Sequence, residues 1–371
     1  MLIDILYILL FPYYIMLLYW ITGLGKLNAK KKIKKQKHYP ISIVVAFRNE
    51  AEHIANLLTD LHEQDYSKEL FEVILVDDHS LDGSTEVVSK NSVGQTNVKL
   101  LKLTDKTGKK AAIRKGVEAT KHNVIVTTDA DCRLNPSWLS TLAISFEPQE
   151  DHLVTAPVRF LSSSIWQRVF QTEQAALMAA TAGTIANHNG FICNGANMMF
   201  PKALYLELTA EDLKAEIASG DDVFLLHAIK KKLGMRAKIK FVANITAVVK
   251  TGFPSSFSAW LHQRLRWAEK SKKYQDKSSI LHGFVILLAN FSLLAALCCA
   301  IFGALAWANL VLLFVLKWMS DFTLLIAVRH WFKVKGAFFN SFLLSLLYPF
   351  YSMLIALLSL LLRPEWKGRK I

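Results

Sequence analysis

The chain is poor in cysteine. Cys132, Cys193, Cys298 and Cys299 are the whole set, and none forms a Cys-x-x-Cys pair. Neither a zinc site nor a disulfide framework is indicated, and a reducing compartment fits. Cys132, beside two aspartates, reads as a small filler rather than a nucleophile. No Gly-x-Gly-x-x-Gly fingerprint and no Walker lysine pattern occurs, so dinucleotide and P-loop readings lose support. No internal repeat is present. Acidic residues are the minority, 30 against 44 Lys and Arg, which leaves a formal net charge of +14. Such an excess fits nucleic acid, anionic headgroups or phosphorylated substrates. Much of it is local: Lys30, Lys31, Lys32, Lys34, Lys35 and Lys37 directly succeed an apolar run. That arrangement favours a membrane-flanking role over a nucleic-acid groove, and no nucleic-acid partner is expected.

Hydrophobic residues make up 52% of the 371 positions, high for a soluble protein. Ile5 to Ile21 is almost entirely apolar. Its basic cluster comes after rather than before it and no Ala-x-Ala cleavage pattern appears, so it reads as an uncleaved anchor within residues 1–25. It is short for a span, and Pro12 is placed to kink it. The positive-inside rule makes the chain beyond Lys30 cytoplasmic.

From Pro40 to about Gly252 the pattern is α/β. Strands are predicted at Ile41–Ala46, Phe71–Val76, Val98–Leu103 and Val124–Thr128, with helices at Glu50–Leu61, Asp82–Lys90 and Lys110–Ala119. Strands alternating with helices imply right-handed crossovers and a parallel sheet, with ligands beyond the carboxyl ends of the strands. The loops after Ala46, Val76 and Thr128 are the ones to inspect.

Pro254 to Gln275 reads as a basic amphipathic helix. Phe257, Trp260, Leu261, Leu265 and Ala268 fall on one face, and Arg264, Arg266, Lys270 and Lys273 elsewhere. It is either interfacial or packed on the domain. Gly283 to Val328 is long enough for two spans, the second interrupted by Asn309, Lys317 and Asp321. Ala337 to Leu362 gives a third, with Pro349 in its middle. Arg329, His330, Lys333 and Lys335 mark one end as cytoplasmic, and Arg363, Lys367, Arg369 and Lys370 mark the carboxyl terminus likewise. One anchor and three full spans would put that terminus outside. Either the Pro349 segment is re-entrant or breaks into two short helices, or the charge rule fails here.

Four clusters can carry chemistry. Asp77-Asp78 ends the second strand, with Asp82-Gly83 shortly after it. One aspartate can cap the next helix, but two carboxylates exceed what a cap needs and can accept from a base or ribose. Asp129-Ala130-Asp131 ends the fourth strand, where both carboxylates can flank one hard divalent ion on a diphosphate. Asp221-Asp222 precedes a helical run, Val223–Lys232. It reads either as an acidic first turn or as a general base for an acceptor hydroxyl. Gln263-Arg264-Leu265-Arg266-Trp267 joins guanidinium groups suited to phosphate with an indole suited to stacking on a sugar. Lys109 either touches a phosphate or is plain surface.

Taken in order, these segments resemble the membrane-associated inverting glycosyltransferases of family 2, such as cellulose, hyaluronan and poly-N-acetylglucosamine synthases and ceramide glucosyltransferase. The matches run from Ile43-Val44-Val45-Ala46-Phe47-Arg48-Asn49-Glu50 through Val76-Asp77-Asp78-His79-Ser80 to Gly108-Lys109-Lys110-Ala111-Ala112-Ile113. Then come Asp129-Ala130-Asp131, Asn194-Gly195-Ala196-Asn197, Asp221-Asp222, and Gln263 with Arg266-Trp267. The resemblance implies a nucleotide-sugar-binding GT-A domain over 38–253, an interfacial helix over 254–279 and about three membrane helices over 280–363. It implies donor binding by Ala46, Asn49, Glu50, Asp78, Lys109, Asp129, Gln263 and Arg266, and a Mg²⁺ or Mn²⁺ ion on Asp129 and Asp131. Asp222 would be the catalytic base, with Arg264 outside the site. Trp267, Asn194, Gly195 and Asp221 would face the acceptor.

The partners so implied are a nucleotide-diphosphate sugar (uridine donors favoured), a lipid or glycan acceptor and membrane lipids. Accessory or oligomeric partners stay unassigned. The location implied is a bacterial inner membrane, with the catalytic domain cytoplasmic. Two departures stand out. The family's usual Glu-Asp pair is Asp221-Asp222 here, which puts the first carboxylate's supporting role in doubt. Polymer synthases also carry more spans, so a processive polysaccharide synthase ranks second to single transfer. An inactive membrane scaffold or carbohydrate sensor ranks third.

Overall fold

The computed structural model describes residues 2–29, 38–217, 219–362, 365–366 and 369–370. The lysine run from Lys30 to Lys37, Arg363 and Lys367 lie outside the described residues. Two compact units emerge, each assembled from separated stretches of chain: Met1–Lys30, Ser162–Phe191 and Phe253–Ile371 form the first, Lys31–Leu161 and Ile192–Gly252 the second.

The chain opens with helix α1 (Leu2–Ala29). The first crossovers are built from β1 (Ile41–Phe47), α2 (Ile54–His62), β2 (Phe71–Asp77), α3 (Ser84–Asn91), β3 (Val98–Lys102), α4 (Lys109–Ala119) and β4 (Val124–Thr127). Next are β5 (Cys132–Arg133), α5 (Trp138–Ser145), β6 (Leu153–Thr155), β7 (Val158–Phe160) and α6 (Ile165–Ala186). Then come β8 (Met198–Pro201), α7 (Lys202–Leu206), α8 (Asp221–Leu233), β9 (Ile239–Phe241) and β10 (Val249–Thr251). Helices α9 (Phe257–Ser271), α10 (Lys277–Ile301), α11 (Trp307–Val328) and α12 (Ala337–Leu361) precede a short terminal hairpin, β11 (Glu365–Trp366) with β12 (Arg369–Lys370).

In the second unit, seven strands run in the order β3-β2-β1-β4-β8-β6-β9. The pairs β1–β2, β1–β4, β2–β3 and β6–β9 are parallel, while β8 runs antiparallel to both β4 and β6. A buried parallel strand must be apolar on both faces, and β1 shows how the residues divide. Ile41, Ile43, Val45 and Phe47 pack with Ile54, Leu57, Leu58 and Leu61 of α2 and Trp138 of α5. Val44, between them, points the other way, into a cluster with Ile113 and Val117 of α4 and Leu225, Leu226 and Ile229 of α8. Helices therefore cover both faces. α4 lies so close that a Cβ at Gly116 would sit 2.5 Å from Val44 Cγ1. A smaller sheet, β5-β10-β7, flanks the first.

Parallel alignment brings the carboxyl ends of β1, β2 and β4 to one edge, with Phe47 opposite Asp77 and Val44 opposite Thr127. Because β8 is antiparallel to β4, its start, Met198, lies opposite Thr127. The segment before it, Asn194–Asn197, reaches the same edge.

The first unit holds α1, α6 and α9 to α12. Four of its helices, over Leu2–Leu27, Lys277–Ile301, Trp307–Val328 and Ala337–Leu361, are long and apolar enough to cross a membrane. Their surface is inverted relative to a water-soluble protein. Phe284, Phe291, Phe350 and Leu360 are exposed, whereas Asn290, Ser292, Ser341 and Ser359 are buried. Three expectations change. α1 is longer than its apolar core, because Leu2–Asp4 and Thr22–Ala29 continue the helix, and it runs through Pro12 without a break. α12 likewise runs through Pro349 as one helix, neither re-entrant nor split in two. Lys317 and Asp321 do not interrupt α11. They pair one turn apart at 2.8 Å, and Tyr13 of α1 donates to Asp321 Oδ1 at 2.5 Å, so the charges neutralise each other inside the bundle.

Helices α1 and α6 meet at two glycines. A Cβ on Gly23 would overlap the carbonyl of Gly183, and one on Gly183 would overlap the backbone of Trp20. Only hydrogen fits at either position. Gly183→Val is expected to destabilise the protein by at least about 1–3 kcal/mol, the range for overpacking, since backbone cannot yield as a side chain does. Thermal unfolding in detergent measures this, and an unchanged midpoint would contradict the tight crossing.

Candidate active site

The site is built where the strands of the second unit end. After β1 the chain carries Asn49 in a left-handed conformation (φ 51°), and after β2 it carries His79 in the same region (φ 59°). Both are uncommon for non-glycine residues and are held by hydrogen bonds between the two loops. Asn49 N donates to Ser80 Oγ at 2.9 Å, Leu81 N to Asn49 Oδ1 at 2.8 Å, and Glu50 N to Ser84 Oγ at 2.8 Å. Ala46, penultimate in β1, pairs with Val76. The local turn work falls to Asp77, which accepts from Ser80 N, and to Asp82, which accepts from Ser84 N and Ala51 N. Asp78 follows Asp77 at the end of β2. It is buried, its backbone is held by Phe47 and Arg48, and its carboxylate lies 3.5 Å from His79 Nδ1.

Lys109 joins the rest. Its ammonium lies 2.7 Å from Asp129 Oδ1 and 3.3 Å from Asp221 Oδ2. Three distant stretches of chain converge on this one charge: the first residue of α4, the end of β4 and the first residue of α8. Glycine makes the approach possible. Gly108 (φ 103°) and Gly220 (φ 80°) precede Lys109 and Asp221 in conformations that side chains with a Cβ resist. Burial opposes the Lys109 charge, but Asp129, Asp221 and, farther off, Asp222 outweigh it and hold its pKa above the ordinary lysine value. Lys109 is thus partly buried and paired with two carboxylates.

Asp222 is held differently. Its carboxylate accepts from Gly195 N at 3.2 Å and from Val223 N at 2.7 Å. Gly195 is fixed in turn by Thr127 Oγ1, which donates to its carbonyl at 2.7 Å. Asn194 caps its own turn, accepting from Ala196 N at 3.3 Å. Asn197 is fully buried and ties Trp138, Pro157 and Ala247 together, a structural role. The N-cap of α8 is Gly220, so Asp221 and Asp222 occupy its first turn without capping it.

Asp131 Oδ2 accepts from Thr251 Oγ1 at 3.0 Å. Thr251 lies 120 residues away, in β10, and nothing local in the sequence announces it. Cys132 is buried, and burial together with Asp131 and Asp129 pushes its thiol pKa up, so it fills space rather than attacking. Among the described residues no cluster of three or more His, Cys, Asp or Glu could hold a metal ion. Asp129 and Asp131 present hard carboxylate oxygens of the kind that a divalent cation prefers.

Gln263, Arg266 and Trp267 belong to α9 in the first unit. There the helical face differs from expectation. Arg264, assigned to the polar side and set outside the site, is buried with Trp260 and Leu265. Its guanidinium lies 2.7 Å from Glu173 of α6 and 4.5 Å from the Trp267 ring. An ion partner on α6, which a helical projection of α9 alone does not contain, turns that side inward. Phe257, projected onto the apolar face, is instead exposed. Gln263 Oε1 is buried and finds no hydrogen-bond partner among the described residues.

Comparison with known proteins places this geometry. Residues 42–208 match the family described as Glycosyl transferase family 2. Glycosyltransferase AglE of Haloferax volcanii is 31% identical over 99 residues, 27% of this chain and 33% of that protein. A beta-monoglucosyldiacylglycerol synthase of Nostoc is 24% identical over 261 residues, 64% of this chain and 50% of that protein. The chain thus spans a third to a half of the length of the curated relatives it matches. A mannosyltransferase of Pyrobaculum calidifontis, solved with GDP-mannose and Mn²⁺, superposes with a TM-score of 0.56 at 19% identity, covering 93% of this chain and 99% of that one. That likeness shows the fold: GT-A, with a mostly parallel sheet.

Gly195 offers a direct test of the site's geometry. A Cβ there would lie 2.7 Å from Asp221 Oδ2 and 3.5 Å from Asp222 Cβ. Gly195→Ala is expected to displace the Asp221 carboxylate from its place beside Lys109 and cut turnover roughly 100-fold, the scale of an ångström-sized misplacement, while the fold persists. Circular dichroism paired with an activity assay checks this, and full activity would show that the carboxylates need no such fit.

Proposed function

Because the chain carries a glycosyl transferase family 2 domain over residues 42–208, we propose that it transfers a sugar from a nucleoside-diphosphate sugar, with inversion, to a lipid or lipid-linked acceptor at a membrane. The observation that carries this reading is the Lys109 bridge between Asp129 and Asp221, with Asp222 beside it. A fixed cation at the carboxyl edge of the sheet is what a departing diphosphate requires. Four helices suited to crossing a membrane support a membrane-held acceptor, as does the diacylglycerol in the name of the Nostoc relative. The lysine run after α1 favours a cytoplasmic catalytic domain, which we place on a bacterial inner membrane; the basic carboxyl terminus beyond the unbroken α12 then departs from the charge rule.

In this reading Ala46, Asn49, Glu50 and Asp78 bind the nucleoside, and Asp129 and Asp131 hold the divalent ion, Mg²⁺ or Mn²⁺. When bound, that ion supplies further neutralisation of the diphosphate. Lys109 faces the leaving group, joined by Gln263 and Arg266, and uridine nucleotides are the favoured donors. Asn194, Gly195, Asp221 and Trp267 face the acceptor. The acceptor oxygen forms a bond to the anomeric carbon as the bond to the diphosphate oxygen breaks. The bonding pair leaves with the diphosphate, and the hydroxyl proton passes to Asp222. Division of labour within the acidic pair reflects its contacts. Asp221 is committed to Lys109, while Asp222 is aimed by two backbone N–H groups.

Asp222→Asn is expected to lower transfer by roughly 10²–10⁴-fold while UDP still binds. The assay is a screen of labelled UDP-, GDP- and dTDP-sugars against a membrane lipid extract, with products resolved by size. Unchanged transfer in the folded variant would sink the assignment of the base, and a ladder of products would replace single transfer with polymerisation. Undiminished activity in EDTA would remove the metal.

A further inference from the structure

Arg264 has a use that its position between Gln263 and Arg266 does not announce. It is buried in an aromatic setting, and its Nη2 lies 2.7 Å from Glu173 Oε2. Glu173 is a shared acceptor: Tyr351 of α12 donates to its Oε1 at 2.7 Å. The guanidinium lies against Trp267 at 4.5 Å and Trp260 at 5.6 Å. Trp260 is itself packed on Phe170 of α6 at 4.5 Å and Tyr351 at 5.3 Å. One ion pair therefore ties three helices: α6, α9 and the apolar α12.

A buried ion pair is a poor source of net stability, because desolvation offsets most of the attraction. Its best-attested use is to select one arrangement over others. An apolar cluster of these aromatic rings would let α9 rotate or slide. The guanidinium, ion-paired with a carboxylate at one end and lying over the Trp267 ring, favours one register. Gln263, Arg266 and Trp267 share that register, since they lie within one turn of Arg264.

We propose that Arg264 and Glu173, steadied by Tyr351, are positioning residues that fix the register of α9 and so aim Arg266 and Trp267. The inference rests on the proposed function, in which α9 meets the diphosphate and the acceptor. It adds a physical link: a membrane helix, through Tyr351, sets the aim of a substrate-binding helix.

The test uses the full-length protein in detergent with three variants, Glu173→Gln, Arg264→Lys and Tyr351→Phe, and Arg266→Ala as reference. Thermal midpoint, binding of UDP or GDP with Mn²⁺, and kcat and KM for the donor are read in parallel. For the folded variants the expected result is a turnover reduced up to roughly 100-fold and a raised donor KM. Arg264→Lys should be impaired despite keeping its charge, because it loses the stacked plane. Kinetics equal to wild type per folded molecule, with only the midpoint lowered, would overturn the proposal in favour of a purely structural pair. If the two charge variants do not fold, Tyr351→Phe decides by the same two outcomes. If Arg266→Ala is itself silent, the reading of α9 as substrate-binding fails, and the positioning proposal falls with it for a separable reason.

Discussion

One ammonium group organises the catalytic edge. Lys109 faces Asp129 and Asp221, and without it two carboxylates from different ends of the domain would repel across a partly buried gap. Each is only partly shielded from water, so the attraction is discounted by solvent, but its geometric effect is not. The bridge sets where α4 begins, where the chain leaves β4 and where α8 begins. Glycine at Gly108 and Gly220 is the local condition for that convergence, and Gly195 the condition for the close approach of Asp221. In the proposed reaction a diphosphate would meet a charge already in place, so the protein would need no reorganisation as negative charge develops on the leaving group.

The central sheet is readable from sequence because parallel strands buried on both faces write themselves as continuous apolar runs. The pattern locates Ile41–Phe47, Phe71–Asp77 and Val124–Thr127 to within a residue. The Asp-x-Asp and Asp-Asp pairs are readable because strand ends and first turns are where such residues show. The features that escape depend on partners remote in sequence. Thr251 reaches Asp131 from a strand 120 residues on, and no spacing rule joins them. Helix α6 is hard to read because its apolar and polar residues do not segregate. Gln171, Thr172, Gln174 and Thr181 are buried along with its alanines. Arg264 defeats a helical projection because such a projection assumes that charge faces water. Here Glu173 supplies the counter-charge inside.

The two units solve opposite solvation problems with the same chemistry. Around the sheet, apolar side chains are sequestered and carboxylates gather at an edge. Among the long helices, phenylalanines and leucines face outward, and serines, asparagines and the Lys317–Asp321 pair turn in. Several polar groups buried there donate to the carbonyl four residues back, as the Asn290 amide nitrogen and the Ser292 hydroxyl do. Such bonds keep each helix whole in an apolar medium, where an unmatched group is costly. Pro12 and Pro349 are tolerated within α1 and α12 for the same reason: neighbouring helices supply the packing that isolated ones lack.

The crossing of α1 and α6 bears on how the chain is made. Gly23 is synthesised about 160 residues before the Gly183 that it receives. At roughly 5–20 residues per second, the ribosome needs on the order of ten to thirty seconds to supply the partner. During that interval α1 waits with a bare backbone groove, while much of the sheet is being translated. In translation order this crossing is therefore completed only after β1 to β7 have been made.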